Sequence, residues 1–388
     1  MGFGSLFMDM SSELIHSLLP VFMLSGLGAS VVAVGMLEGM AEATAAIVKV
    51  FSGALSDQLG KRKPLMIVGY ALAACTKPIF PLADSVGWVF GARFVDRVGK
   101  GIRGAPRDAL VADLTEARLR GAAYGLRQAL DSVGALLGPL LAMLLMIALA
   151  DQIRLVLWFA AIPAVIAVIV LASFVREPER HAERVQRPKL AWTDVGRLPP
   201  RYWWIVVLGG VFTLARFSEA FLVLRAQDVG LQLSYVPVVM IAMNVFYSGA
   251  AYPAGAAADR LPARWVLCVG LAFLMAADLV LAFAGSPWLV LTGAALWGLH
   301  MAATQGLLAK LVADTAPAAL LGTGFGVFNL VSGVALLLAS AIAGVLWSEL
   351  GPAATFLTGA GCAALAALGL VLLPLTAAAE SGPDNSLR

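Results

Sequence analysis

Three cysteines and three histidines in 388 residues, with charge at only 13% of positions, remove several classes of protein at the outset. Cys75, Cys268 and Cys362 lie far apart in apolar runs, so neither a disulfide framework nor a C-x-x-C pair can organise the fold. His16 and His300 stand without a dense Met or Cys cluster, so a metal site is not expected and no cofactor is implied. A net charge of +3 projects no broad field toward nucleic acid. No G-x-x-x-x-G-K-[ST] occurs, which removes a P-loop and with it ATP as a drive. No polar stretch is long enough for an extramembrane catalytic domain, so the chain is not expected to be an enzyme. Nor is there polar surface enough to coat a soluble domain, since 60% of the residues are hydrophobic and mean hydropathy is +0.88.

What the chain has instead is a succession of apolar runs. Crossing a hydrocarbon core takes about 20 mostly apolar residues in a helix. Reading between polar and Gly/Pro breaks gives twelve such runs: 3–26, 31–55, 64–83, 87–112, 120–149 and 153–174, then 203–225, 234–257, 264–284, 287–312, 321–347 and 352–374. The N-terminal run has no Lys or Arg before it and contains Asp9, Glu13 and His16, so it is expected to be the first membrane helix rather than a secretory signal. Basic residues gather in alternate connectors: Lys61, Arg62 and Lys63; Arg118 and Arg120; seven Lys and Arg between 176 and 201; Arg260 and Arg264. The other connectors hold almost none, Arg154 excepted. This bias assigns the basic loops and both termini to the cytoplasm. The expected organisation is a six-helix bundle over 1–175, a cytoplasmic linker over 176–202, a second bundle over 203–376 and a cytoplasmic tail over 377–388.

The halves repeat one another. Gly53-x-x-x-Asp57 corresponds to Gly255-x-x-x-Asp259 at a shift of 202 residues, and Val111-Ala112-Asp113 to Val312-Ala313-Asp314 at 201. Gly121 and Gly125 follow at the same offsets as Gly322 and Gly326, and Ser12-Glu13 resembles Ser218-Glu219. Duplicated six-helix halves place a binding site between them near the bilayer midplane.

The run Gly53-Ala54-Leu55-Ser56-Asp57-Gln58-Leu59-Gly60-Lys61-Arg62-Lys63 is similar to the signature loop of the major facilitator superfamily, G-x-L-x-D-x-x-G-R-[KR]-[KR], with Lys61 in place of Arg. Its second copy is degraded, with Pro262 and Ala263 replacing glycine and a base. Arg97-x-x-Lys100-Gly101-x-Arg103-x-Ala105 resembles the family's R-x-x-Q-G-x-G-x-A, from which Lys100 and Arg103 depart. Gly134-Ala-Leu-Leu-Gly138-Pro139 resembles the opening of the family's antiporter motif, whose trailing glycines are absent. The runs Ser11–Glu13 and Asp96–Asp108 look like a bacterial subgroup of the superfamily. The resemblance implies an all-α membrane protein with twelve transmembrane helices in two pseudo-symmetric six-helix bundles, monomeric and placed in the bacterial inner membrane. It further implies that Gly53, Asp57, Gly60, Lys61 and Arg62 form a gating loop, and that Arg97 is linked to proton transfer.

An ionisable residue at membrane depth costs about 2.5–3.5 kcal/mol on insertion scales, so such residues face a cavity or each other. Here they form stripes. Asp9, Glu13 and His16 share one helical face, as do Glu38, Glu42 and Lys49. Arg93, Asp96, Arg97, Lys100, Arg103 and Arg107 fall on an arc of about 120°. Arg127 and Asp131 stand at i, i+4. The second half is drier, with Arg216, Glu219, Asn244, Tyr247, Asp278, His300, Gln305 and Lys310. The expected proton-coupling residues are Glu13, Glu42, Asp131 and Arg97. The expected substrate cavity draws on His16, Glu38, Lys100, Arg103, Arg127, Arg216, Glu219, Asn244, Tyr247 and His300.

The leading expectation is secondary active transport of a small organic solute by alternating access, as proton-coupled efflux, with solute, protons and the lipid bilayer as partners. The basic face of helix 4 would suit instead the uptake or exchange of an organic anion or a metal chelate such as a siderophore. A non-transporting membrane sensor is the third reading.

Overall fold

The structure is a computed structural model that describes residues 1–59, 62–116, 119–175, 192–317 and 320–372. The expected tail and most of the expected linker lie outside the described residues, as do Gly60 and Lys61 of the expected gating loop. The side chains of Gly53 and Asp57 lie outside them too.

With no water in hydrocarbon, every spanning backbone group must find its partner inside its own segment, which makes helix the only open-chain solution. The described residues form twelve helical spans and no strand. The first is α1 (Gly2–Val21), which runs into a π-helical turn at Phe22–Gly26. Pro20 stands just before it and leaves the preceding turn without one helical N–H. α2 (Val31–Leu59) is the second span. The third is broken into α3 (Lys63–Thr76) and α4 (Ile79–Leu82) around Lys77 and Pro78. α5 (Val86–Leu114) and α6 (Arg120–Ala148) follow, and α7 (Ile153–Trp158) with α8 (Ala161–Phe174) makes the sixth. After a 3-10 turn at Trp192–Arg197, the seventh consists of α9 (Pro200–Ala215) and α10 (Ala220–Asp228). The rest are α11 (Val238–Arg260) with its leading 3-10 turn Leu233–Tyr235, α12 (Ala263–Ala282), α13 (Pro287–Thr315), α14 (Leu321–Leu350) and α15 (Pro352–Leu372).

The boundaries fall within a few residues of those read from the sequence, except that the third, sixth and seventh spans are each broken, most widely the seventh. Its break, Arg216–Glu219, is not exposed to lipid as bare backbone. The Ser218 N–H donates to the Ser340 hydroxyl of α14 (3.2 Å), and the Ser218 hydroxyl accepts from the Ala220 N–H (3.2 Å). Nine spans are long and apolar enough to cross a membrane by composition alone, among the described residues. α5 is not one of them because of the charges along it, so it can lie in a membrane only with those charges matched.

In the first bundle α1 packs on α6 and α8, and α5 lies against both α2 and α3. In the second, α13 lies against α11 and α12, and α15 against α12 and α9. A cluster of Phe217, Phe221, Trp297, Trp347 and Phe356, with ring centroids 5.3–6.0 Å apart, fills its centre. The bundles meet mainly along α2 and α14. Small residues set this seam: a Cβ on Gly35 would lie 2.3 Å from the Ser340 carbonyl oxygen, and one on Gly39 2.6 Å from the Leu337 Cα. Because the obstacle at each position is backbone, it cannot swing aside. Gly35→Val should therefore destabilise the protein by about 1–3 kcal/mol, the usual cost of overpacking, read as a lower unfolding temperature in detergent. An unchanged unfolding temperature would mean that the seam is looser than described.

Candidate functional site

Three helices of the first bundle carry charge toward one another, and their relative directions decide which charges meet. α2 and α5 run parallel, so Glu38 meets Arg93 and Glu42 meets Arg97, each pair 55 residues apart. Arg93 Nη2 donates to both Glu38 oxygens (3.1 and 3.0 Å), and Arg97 Nη1 to Glu42 (3.2 Å). α1 runs antiparallel to α5, so its partners descend as its own numbers rise. Ser5 accepts from Arg107 Nη1 at 2.6 Å, and Asp9 lies 3.7 Å from Arg103 Nη2. The Arg103 guanidinium also lies 4.5 Å above the Tyr70 ring.

At the far end of this ladder His16 lies between two carboxylates. Its Nδ1 is 3.3 Å from Glu13 and its Nε2 3.3 Å from Glu38. Imidazole can donate to both only when both ring nitrogens carry a proton. At the near end Asp131 accepts from Arg127 Nη1 (2.7 Å) and lies 4.0 Å from Arg107, which also reaches Asp108 (3.3 Å). Arg93, Asp96, Arg97 and Arg103 are all buried, whereas Lys100 remains half exposed and only 4.0 Å from Glu42.

Sequence reading overlooked Lys77. It sits at the break between α3 and α4, fully buried, and donates to Asp96 (2.8 Å) and to the Ser12 hydroxyl (3.1 Å). The signal was present: a single Lys in an otherwise apolar span has to find a carboxylate.

A cavity of about 480 Å³ lies between the bundles. Of the residues expected to carry function, Glu13, Glu42, Asp131, Lys100, Arg103, Asn244 and Tyr247 line it. Asp9, Lys49, Arg107, Gln128, Ser132, Ser248 and Asn329 join them. His16, Arg97 and Arg127 stand behind the wall, touching its carboxylates, and Glu38 stands behind His16. Arg216 and Glu219 flank the break in the seventh span, and His300 is buried within the second bundle with Nδ1 2.8 Å from the Gly270 carbonyl. None of these three lines the cavity. Asp278 of α12 is also wholly buried there, with neither carboxyl oxygen hydrogen-bonded among the described residues.

The cavity stops where Asn244 of α11 donates to the Ala135 carbonyl of α6 (3.2 Å). Beyond that contact the bundles stay together, and the Ser234 hydroxyl bonds Asp151. The cavity occupies the other side, where α6 begins and α11 ends.

The sequence profile of the Major Facilitator Superfamily matches residues 1–244 and again 218–387. The chain belongs to that superfamily. It is 30% identical to an MFS-type transporter of Methanocaldococcus jannaschii over 96% of this chain and 93% of that one. Over 33% of this chain and 32% of its own length, the multidrug resistance protein MdtH of Yersinia enterocolitica is 29% identical. The nucleoside transporter NupG superposes with a TM-score of 0.80 over 95% of this chain and 98% of its own, at 12% identity, a likeness of fold.

Two superfamily motifs acquire a physical reading. Arg62, in the loop after α2, pairs with Asp113 near the end of α5 (2.8 Å). Gly134 and Gly138 seat α6 on α1: Cβ atoms there would lie 2.5 Å from the Leu6 carbonyl and 2.6 Å from that of Met10. Close packing alone accounts for both glycines, whatever the direction of transport.

The Lys77–Asp96 pair tests the ladder. Lys77→Met should cost about 3–5 kcal/mol, because a buried carboxylate loses its near partner. Lys77→Met/Asp96→Asn should recover most of that. Thermal unfolding of wild type, Lys77→Met, Asp96→Asn and the double variant measures it, and equal stability of Lys77→Met and wild type would contradict the assignment.

Proposed function

We propose that this chain is a proton-coupled secondary active transporter that moves a small polar organic solute by alternating access. It works as a monomer in the bacterial inner membrane, with both termini in the cytoplasm. On that orientation the cavity faces the cytoplasm and the Asp151–Ser234 end is the closed outer gate. The observation that carries the reading is the position of Glu13. It borders the cavity on one side and shares His16 with buried Glu38 on the other. A proton gained or lost in this trio changes how many charges Glu13 presents to a solute, which is what coupling requires. Glu42 with Arg97, and Asp131 with Arg127, repeat the arrangement without a histidine and are the further coupling candidates.

Outward movement of the solute is favoured by the similarity, over about a third of the chain, to the multidrug resistance protein MdtH. The lining supports a hydrophilic cargo over a lipophilic one, because Tyr247 is the only aromatic among the described residues that form it. Uptake or exchange of an organic anion is the second reading, favoured by lysines in the cavity wall.

In energised inverted vesicles loaded with a pH-sensitive dye, addition of a transported solute should collapse part of the proton gradient. Glu13→Gln and His16→Gln should abolish that collapse while preserving solute-for-solute exchange, since the path stays intact when the proton step is lost. Proton movement that is unchanged in both variants would remove the trio from the coupling role.

A further inference from the structure

The charges around the cavity are not evenly matched. Every carboxylate that lines it already has a partner in the protein: Asp9 has Arg103, Glu13 has His16, Glu42 has Arg97 and Asp131 has Arg127. The lysines differ. Lys49 is exposed in the cavity wall, and its ammonium makes no hydrogen bond or ion pair among the described residues. Its stem lies 3.6 Å from where a Cβ on Gly104 would stand, so the side chain crosses from α2 to the α5 wall. The carboxylate whose charge reaches it, Asp108, is already held by Arg107. Lys100 stands 47% exposed, one turn from Gly104 on α5, with only its 4.0 Å approach to Glu42. Around the cavity, among the described residues, eight Lys and Arg (Lys49, Lys77, Arg93, Arg97, Lys100, Arg103, Arg107 and Arg127) face seven carboxylates (Asp9, Glu13, Glu38, Glu42, Asp96, Asp108 and Asp131) even before His16 is considered.

The opposite wall has another character. Asn244, Tyr247 and Ser248 of α11 and Asn329 of α14 are neutral groups that donate and accept hydrogen bonds. A solute lodged here meets a surplus of ammonium groups on one side and amide and hydroxyl groups on the other.

We infer that the cargo is a small hydroxylated or amide-bearing organic anion, whose carboxylate or phosphate is received between Lys49 and Lys100 while its polar remainder bonds the α11 and α14 wall. The inference rests on the transport reading and gives it a substrate class. An ammonium is a compact point charge suited to either anion. A cavity of about 480 Å³ has room for a molecule the size of a sugar acid or sugar phosphate, within the range of about 300–1,000 Å³ typical of small-molecule sites.

The test is binding by the purified full chain in detergent, followed by thermal stabilisation and by calorimetry. Gluconate and citrate serve as carboxylates, glucose 6-phosphate as a phosphate monoester, sorbitol as a neutral polyol, choline as a cation, and short-chain phosphatidylglycerol as an anionic lipid. At least one soluble anion should stabilise the protein, with the carboxylate and phosphate arms deciding between the two head groups. Lys49→Gln should weaken that binding by about tenfold or more. Lys49→Arg should retain most of it, and both variants should unfold at the temperature of wild type without ligand. Preference for choline or sorbitol, stabilisation by the lipid alone, no stabilisation by any soluble anion, or equal affinity in Lys49→Gln would overturn the inference. The readout involves no proton movement. Anion binding without solute-linked proton flux would therefore reject the coupled-transport reading and keep the substrate class. Proton flux driven by choline would do the reverse.

Discussion

An ion in a low-dielectric interior has to be met by its opposite, and the first bundle is organised around that demand. α5 brings a row of cations into the membrane, a placement that no composition-based rule would allow for an isolated helix. It is admissible because α2 lies parallel to it at a register that sets Glu38 on Arg93 and Glu42 on Arg97, and because α1 lies antiparallel at a register that sets Ser5 on Arg107 and Asp9 on Arg103. The break in the third span serves the same demand, since it delivers Lys77 to Asp96. Slipping any of these helices by one residue would break several pairs at once. The ladder thus fixes the relative height of α1, α2, α3 and α5, and the cavity inherits its wall from that arrangement.

The second bundle answers to a different constraint. Its centre is an aromatic cluster, with few charges to match, and the side it offers the cavity is neutral. The internal repeat therefore conceals a division of chemistry: the two halves share a backbone plan but differ in the kind of side chain they turn inward. Ser12-Glu13 and Ser218-Glu219 illustrate it. The first pair sits in continuous helix and works through its side chains, with Ser12 on Lys77 and Glu13 on His16. The second sits at a helix break, where Ser218 is occupied in satisfying backbone.

How much was legible in advance follows from the range over which each signal acts. Twelve apolar runs and a charged face on α5 are properties of one segment, with period 3.6, and they were readable residue by residue. Which carboxylate meets which arginine depends on the direction and height of two helices, and a single sequence carries no direct record of either. Lys77 escaped because a stripe needs more than one member, and it stood alone in its span. The break at Arg216–Glu219 escaped because it has neither Pro nor Gly, and its backbone is completed by Ser340, over a hundred residues away. His300, Arg216 and Glu219 were read as cavity groups from polarity and depth, and the placement of α13, α9 and α10 sets them apart from the lining.

The α2–α14 seam has a mechanical meaning. Where two helices touch backbone to backbone through missing Cβ atoms, sliding one along the other would push each glycine gap off its matching carbonyl and onto a side chain. Twisting about the line of contact disturbs those gaps least. Such a seam resists sliding: it fixes the height and spacing of α2 against α14 and leaves rotation about the line of contact as the least obstructed movement.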